Sequence, residues 1–143
     1  MEAAYFADSS FWIALSSRRD QFHPHAIAWR QHLVRSRVLL VTTEAVLWEW
    51  MNALTDPAMR GTAAEGYRQR HRDPRIEVAP IDRDIIEAAI RLFEARPDKS
   101  WSLTDCSSFV VMDGRKLNCA LTADHHFQQA GFRAALIEEP PGF

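Results

Sequence analysis

Short apolar runs of strand length alternate along this chain with longer stretches in which apolar residues recur at helical spacing. The predicted strands are residues 3–7, 38–41, 76–79, 118–121 and 134–137. Predicted helices cover residues 9–15, 24–35, 42–54, 58–70 and 104–115, and another runs from residue 82 up to a loop at 96–100. The run at residues 38–41 has no polar residue, which is typical of a strand buried on both faces of a parallel sheet. The alternation predicts an α/β fold with a mainly parallel sheet covered by helices on both faces.

Length and composition favour one soluble domain over residues 1–143. Hydrophobic residues make up 47% and charged residues 25% of the chain, which excludes disordered and coiled-coil classes. No apolar run approaches the roughly 18 residues that a membrane span needs, and Glu2 and Asp8 are atypical of a signal peptide. Two cysteines exclude a disulfide scaffold. We therefore expect a cytoplasmic protein without a membrane association.

The charge balance limits how the chain can contact a nucleic acid. The sum of Lys and Arg is 17 and that of Asp and Glu is 19, so the formal net charge is −2. An RNA-binding surface then requires a local basic patch or bound cations. The densest basic stretch contains Arg68, Arg70 and Arg72, which are candidates for RNA contact; a solvated helix end is the alternative interpretation.

Acidic residues follow the predicted strands at one edge of the sheet. Asp8 follows the first strand, Glu49 lies on the helix after the second, and Asp105 and Asp124 flank the fourth. The carboxyl ends of parallel strands meet, so all four carboxylates are expected close together. Such a cluster recruits a cation, and oxygen ligands without His or Cys favour Mg²⁺ or Mn²⁺ over zinc. A site of this kind suits phosphodiester hydrolysis by a metal-activated water.

Three of these acids have a purely structural alternative. Asp8 is placed to cap the helix that begins near Ser9 or Ser10. Asp105 completes a Ser/Thr-x-x-acid capping box, and Asp124 fits a turn or a helix cap.

Glu49 is the acid with the weakest structural alternative. It interrupts an apolar stretch, where a lone carboxylate is costly without a partner, and Asn52 at i+3 is placed to orient it. Glu44 competes for the role but lies in the first helical turn, where it complements the helix dipole.

Histidine and tryptophan suggest further sites. His125 and His126 beside Asp124, like the pair His23 and His25, point weakly to a transition metal, but the Cys/His spacing of a zinc site is missing. Most of the five tryptophans should be core, with one or two left to line a groove for a partner.

The segments at residues 8–15, 42–49, 102–112 and 121–132 together resemble the PIN domain in order and spacing. The resemblance implies a three-layer α/β/α fold with a sheet of four to five strands and a metal-dependent ribonuclease site. By position, Asp8, Glu49, Asp105 and Asp124 would hold Mg²⁺ or Mn²⁺, with Asp124 the least certain ligand. Ser9 or Thr104 would support an acid or a water.

The resemblance also implies a biological role. Small stand-alone members of the family are typically toxins of VapBC-type toxin–antitoxin pairs, inhibited by an antitoxin segment and commonly homodimeric. An RNA substrate, a cognate antitoxin and a homodimer are therefore expected.

Three other functions stay open. A PIN-type nuclease of RNA processing or decay shares the same site. A haloacid-dehalogenase-like phosphatase would use Asp8 as nucleophile but needs a second Asp where Ser10 stands. A non-catalytic protein-binding module would use the acids only as caps.

Overall fold

The computed structural model describes residues 3–142; Glu2, which entered the signal-peptide argument, lies outside them with Met1 and Phe143. The strands are β1 (Ala4–Ala7), β2 (Leu39–Thr43), β3 (Ile76–Ala79), β4 (Cys119–Leu121) and β5 (Arg133–Ala134). The helices are α1 (Ser9–Ser16), α2 (His23–Ser36), α3 (Glu44–Asn52), α4 (Arg60–Arg72), α5 (Arg83–Ala95), α6 (Leu103–Gly114) and α7 (His125–Gln129), followed by a 3₁₀ turn at Ala135–Ile137.

The strands form one parallel sheet in the order β3-β2-β1-β4-β5. Phe6 in the central strand β1 pairs with Val41 on one side and with Ala120 on the other. The predicted three-layer α/β/α architecture with a central parallel sheet is confirmed. Because β1 is flanked by β2 and β4, the residues that follow these three strands share one edge of the sheet.

Aromatic residues from the sheet and the helices fill the core. Phe6, Phe11, Trp29, Phe109 and Phe127 are fully buried. Each such side chain contributes about 1.5–3 kcal/mol through the removal of apolar surface from water. This packing holds the helices against the sheet and so fixes the position of the polar residues that the helices carry.

Side-chain caps explain where several helices begin. Thr43 accepts a hydrogen bond from the backbone N–H of Val46, and Asp82 accepts one from that of Ile85. The helix predicted over residues 9–15 is observed as α1, which begins at Ser9 with Asp8 at the N-cap position. Ser9 and Ser10 therefore lie in the first turn.

The last predicted strand, residues 134–137, is wrong over most of its length. Only Arg133 and Ala134 pair with β4, and the chain then turns into the 3₁₀ segment that buries Ala135 and Leu136. The apolar run reflects this burial rather than strand pairing. In addition, the short helix α7 was not among the predicted helices, although Asp124 caps it as one of its two structural alternatives allowed. Helix α4 begins and ends two residues later than predicted.

Within residues 3–142, no helix has the length and apolar character needed to cross a membrane.

Candidate active site

The strand ends bring Asp8, Glu49 and Asp105 into one electrostatic cluster. Asp8 follows β1, Glu49 lies on α3 after β2, and Asp105 lies in the first turn of α6. Both Glu49 and Asp105 raise the pKa of Asp8 by charge repulsion. Three acids far apart in the sequence are therefore neighbours.

Asp8 is a buried carboxylate that does not cap its helix. The residue is 4% exposed and occupies the N-cap position of α1 without a capping hydrogen bond from its side chain. Its Oδ2 accepts hydrogen bonds from the hydroxyls of Thr122 at 2.8 Å and Ser10 at 3.3 Å. Asp8 therefore occupies the N-cap position, but its side chain does not form the capping hydrogen bond that the helix-cap interpretation requires.

Burial is the main reason why the pKa of Asp8 is raised to about 7 from its ordinary value of 3.8. Hydrogen bonds from the Thr122 hydroxyl and the Ser9 backbone lower the pKa, whereas the charges of Glu49 and Asp105 raise it further. The protein thus keeps a carboxylate where its negative charge is unfavourable in the absence of a cation.

Glu49 is fixed by a serine rather than by the residue that the sequence suggested. The Ser9 hydroxyl donates a short hydrogen bond to Glu49 Oε1 and joins the first turn of α1 to α3. Among the described residues, no hydrogen bond joins Asn52 to Glu49, and Asn52 is exposed near the end of α3.

Glu44, the competing acid on α3, has partners elsewhere. Its carboxylate accepts a hydrogen bond from the Tyr67 hydroxyl at 2.7 Å and lies 3.1 Å from Nε2 of His71. Both partners belong to α4, so Glu44 holds two helices together. This engagement agrees with the choice of Glu49 as the site acid.

The structural role that the sequence offered for Asp105 is observed, and its carboxylate also lies beside a histidine. Its Oδ2 accepts the backbone N–H of Ser102, and the Ser102 hydroxyl accepts the backbone N–H of Asp105, which completes a capping box. The same Oδ2 lies 3.0 Å from Nδ1 of His126. The backbone carbonyl of the neighbouring Thr104 accepts a hydrogen bond from the Ser107 hydroxyl. Among the described residues, no side-chain hydrogen bond connects Thr104 with the acids.

Asp124 joins this arrangement through the residues around it. Its Oδ1 accepts the backbone N–H of His126, which caps α7, and lies 3.4 Å from Nδ1 of the same residue. Its own backbone N–H donates to the Thr122 hydroxyl, which in turn donates to Asp8. Thr122 therefore connects the loop of Asp124 with the acid at the end of β1.

The donor set suits a hard divalent cation. In the described part of the chain, no Lys or Arg forms an ion pair with Asp8, Glu49, Asp105 or Asp124. Burial and the charges of Glu49 and Asp105 raise the pKa of Asp8, so a bound cation would stabilise its ionised form. Carboxylate oxygens are the ligands that Mg²⁺ and Mn²⁺ prefer.

The basic stretch on α4 contains one half-buried and two exposed arginines among the candidates for RNA contact. The guanidinium of Arg70 lies between the rings of Trp12 and Trp50, at 4.5 and 4.4 Å from their centroids, and burial lowers its pKa. The cation–π contacts engage its guanidinium with the protein, which argues against contact with RNA. Arg68 and Arg72 remain exposed beside Glu65.

Sequence reasoning did not assign a supporting role to Ser10, Thr122 or His126. Each lies two residues from an acid of the site: Ser10 and Thr122 from Asp8 and Asp124, and His126 from Asp124. This spacing is the one signal that points to them, because short polar side chains two residues apart commonly bond each other across a turn.

Comparisons with known proteins agree with this geometry. The sequence model of the PIN domain matches residues 5–133. A crystal structure of VapC20 from Mycobacterium tuberculosis, described as a sarcin–ricin-loop-cleaving toxin, superposes with a TM-score of 0.79 at 26% sequence identity. The alignment covers 92% of this chain and 98% of that one. None of the curated proteins matches the chain. The resemblance inferred from the four sequence segments is confirmed, and the protein belongs to the PIN-domain family.

Proposed function

We propose that the protein is a metal-dependent endoribonuclease that acts as the toxin of a toxin–antitoxin pair. The observation that carries the proposal is the cluster of the buried Asp8 and Asp105 with the half-buried Glu49. In the described residues this cluster has no Lys or Arg counter-ion, and it lies at one edge of the sheet of a PIN domain. A protein-binding module would gain nothing from a buried carboxylate whose ionised form is destabilised, as the raised pKa of Asp8 indicates. A phosphatase of the haloacid dehalogenase type is disfavoured because Ser10 occupies the position of its second Asp.

We assign the carboxylates of Asp8, Glu49, Asp105 and Asp124 to one or two Mg²⁺ or Mn²⁺ ions. When bound, such an ion lowers the pKa of a water and neutralises charge that develops on the leaving oxygen. Ser9 holds Glu49 in place, and Thr122 holds Asp8. These hydrogen bonds fix the carboxylates before the substrate arrives, which reduces the reorganisation that the reaction requires.

An RNA with a defined folded shape is the substrate that we propose. VapC20 is described as cleaving the sarcin–ricin loop, and this chain shares its fold over nearly its whole length. The net charge of −2 leaves binding to local contacts, for which the exposed Arg68 and Arg72 are candidates, together with the bound cation. We place the activity in the cytoplasm, where such substrates occur.

We further propose that an antitoxin segment docks between α3 and α4. Trp48 is 67% exposed, whereas the other tryptophans are buried, and it lines a groove of about 460 Å³ with Met51 and Tyr67. An exposed aromatic side chain in an apolar groove is typical of an interface anchor. A single Trp48→Ala substitution should weaken antitoxin binding and leave RNA cleavage by the free protein intact.

The test compares RNA cleavage by the wild-type protein, Asp8→Asn and the control Asp113→Asn. Asp113 is exposed and lies eight residues after Asp105 on the same helix, about 12 Å along its axis. We expect cleavage that requires Mg²⁺ or Mn²⁺ and stops with EDTA, a loss of at least about 100-fold in Asp8→Asn, and wild-type activity in Asp113→Asn. Wild-type activity in Asp8→Asn would remove the basis of the proposal.

Expression in bacteria tests the toxin role separately. Wild-type protein without a partner should arrest growth, and Asp8→Asn at equal soluble expression should not. Growth arrest that is equal in both strains would contradict a toxicity based on this site.

A further inference from the structure

The imidazole of His126 lies between two carboxylates of the proposed site. Its Nδ1 is 3.0 Å from Oδ2 of Asp105 on α6 and 3.4 Å from Oδ1 of Asp124, which precedes α7. The side chain is only 18% exposed. These two acids come from different elements, and the His126 ring is the described side chain that contacts both.

The chemistry of the contact fixes the role of each nitrogen. Ionised carboxylates only accept hydrogen bonds, so Nδ1 carries the proton in this arrangement. The second nitrogen, Nε2, faces the hydroxyl of Ser100 at 3.4 Å. The ring also contacts that of His125, with centroids 4.5 Å apart.

The hydrogen bonds leave one oxygen of each acid for another ligand. Oδ2 of Asp105 already accepts from Ser102 and His126, and Oδ1 of Asp124 accepts the backbone N–H of His126. Within residues 3–142, neither Oδ1 of Asp105 nor Oδ2 of Asp124 has a hydrogen-bond or ion-pair contact. The two unengaged oxygens belong to the carboxylates that the His126 ring joins.

We propose that His126 is a positioning residue that orients Asp105 and Asp124 for a divalent cation through its Nδ1–H. The inference rests on the proposed function, because it concerns the same carboxylate cluster. Residues that orient metal ligands through hydrogen bonds typically contribute about 10–100-fold to metal affinity. His126 acts through the two acids and does not itself contact the cation or the RNA.

The test is Mn²⁺ binding, measured from the electron paramagnetic resonance signal of free Mn²⁺, in variants that separate the two ring nitrogens. In His126→Asn, the amide nitrogen replaces Nδ1; in His126→Gln, it replaces Nε2; His126→Ala removes both. The control is Gln128→Ala, an exposed position on the same helix. Thermal melting in EDTA identifies any variant that fails to fold.

We expect Mn²⁺ binding within about threefold of the wild type for His126→Asn and Gln128→Ala, and about 10–100-fold weaker binding for His126→Gln and His126→Ala. The Mn²⁺ concentration for half-maximal RNA cleavage should shift in parallel, while kcat at saturating Mn²⁺ and the KM for RNA change little. A merely structural role would not produce rescue by Asn and failure by Gln.

Two results would overturn the proposal: unchanged Mn²⁺ affinity in His126→Ala, or equal losses in His126→Asn and His126→Ala. The second would indicate that the imidazole itself is a metal ligand. If the wild type binds Mn²⁺ but cleaves no RNA, the proposed function fails while the binding comparison still decides the role of His126. Absence of Mn²⁺ binding by the wild type would overturn both.

Discussion

The buried carboxyl of Asp8 is expected to make the stability of the metal-free protein depend on pH. Burial raises its pKa to about 7 in the folded state, against 3.8 ordinarily. Between these values the folded protein holds a proton that the unfolded chain has released, so the free energy of unfolding falls as pH rises. The shift corresponds to at most about 4 kcal/mol.

Urea unfolding in EDTA at pH 5 and pH 8 measures this effect. The wild type should lose more stability than Asp8→Asn between the two values, and at pH 8 the variant should be the more stable protein. The variant provides the baseline for all other titrating groups. Parallel loss of stability in both proteins would show that Asp8 does not titrate in this range.

Divalent cations that bind at Asp8 should offset the loss of stability that its ionisation causes at high pH. A ligand that binds only the folded state stabilises it by RT ln(1 + [L]/Kd), or about 2.7 kcal/mol at 100 times Kd. At pH 8, addition of Mn²⁺ should therefore raise the melting temperature of the wild type and have a much smaller effect on Asp8→Asn. An equal increase in both proteins would place the cation elsewhere.

At the scale of single residues, the sequence predicted the acids better than their partners. Asp8 and Glu49 could be brought together because they follow neighbouring strands of a parallel sheet, and Asp105 because it begins the helix that leads into the strand on the other side. The hydroxyl of Ser9 reaches Glu49 only because α1 and α3 pack side by side, 40 positions apart in the sequence. Such a contact depends on the packing of helices, which hydrophobic periodicity alone does not specify.

At the scale of elements, replacement of two glycines of α4 by alanine is expected to change the stability of the protein in opposite directions. A Cβ at Gly66 would lie 2.9 Å from Cη2 of Trp50 and 3.1 Å from Nη1 of Arg70, whereas a Cβ at Gly61 has no atom within 4 Å. Gly66→Ala should therefore push apart the stacked Trp50 and Arg70 and destabilise the protein by about 1–3 kcal/mol.

The matched substitution Gly61→Ala should stabilise the protein by up to about 1 kcal/mol, because Ala has the higher helix propensity and meets no obstruction there. Chemical denaturation of both variants checks the opposite signs. Stabilisation by Gly66→Ala would show that Trp50 moves aside without cost. The sequence alone does not distinguish the two glycines, since the close approach of Trp50 is a tertiary feature.

Two elements near the carboxyl terminus were mispredicted for a related reason. The apolar run at residues 134–137 has the length of a strand, but the edge position of β5 limits pairing to Arg133 and Ala134. The short α7 begins at an Asp cap and ends after five residues, too short for hydrophobic periodicity to identify. Longer elements with a full apolar stripe, such as α5, were predicted close to their observed bounds.

At the scale of the whole molecule, the exposed apolar surface on α5 and α6 favours a second copy of the chain as partner. Phe93 is 52% exposed, Ile90 36% and Leu103 46%. A large contiguous patch of apolar side chains is rare on the surface of a monomeric protein and commonly marks an interface. Ile90 and Phe93 lie one turn apart, and α5 packs against α6, which begins at Leu103. We propose that these residues form the centre of the homodimer expected from the family resemblance.

Light scattering after size-exclusion chromatography tests this proposal. The wild type should have the mass of a dimer, and Phe93→Glu should be a monomer, because an unpaired charge buried at the interface centre costs more than the contact contributes. Val34 on α2 is similarly exposed, at 50%, so Val34→Glu is the matched control and should stay dimeric. A dimeric Phe93→Glu would assign the interface to another face, and a monomeric wild type would reject the dimer itself. If each copy holds a complete site, the monomeric variant should retain Mn²⁺ binding.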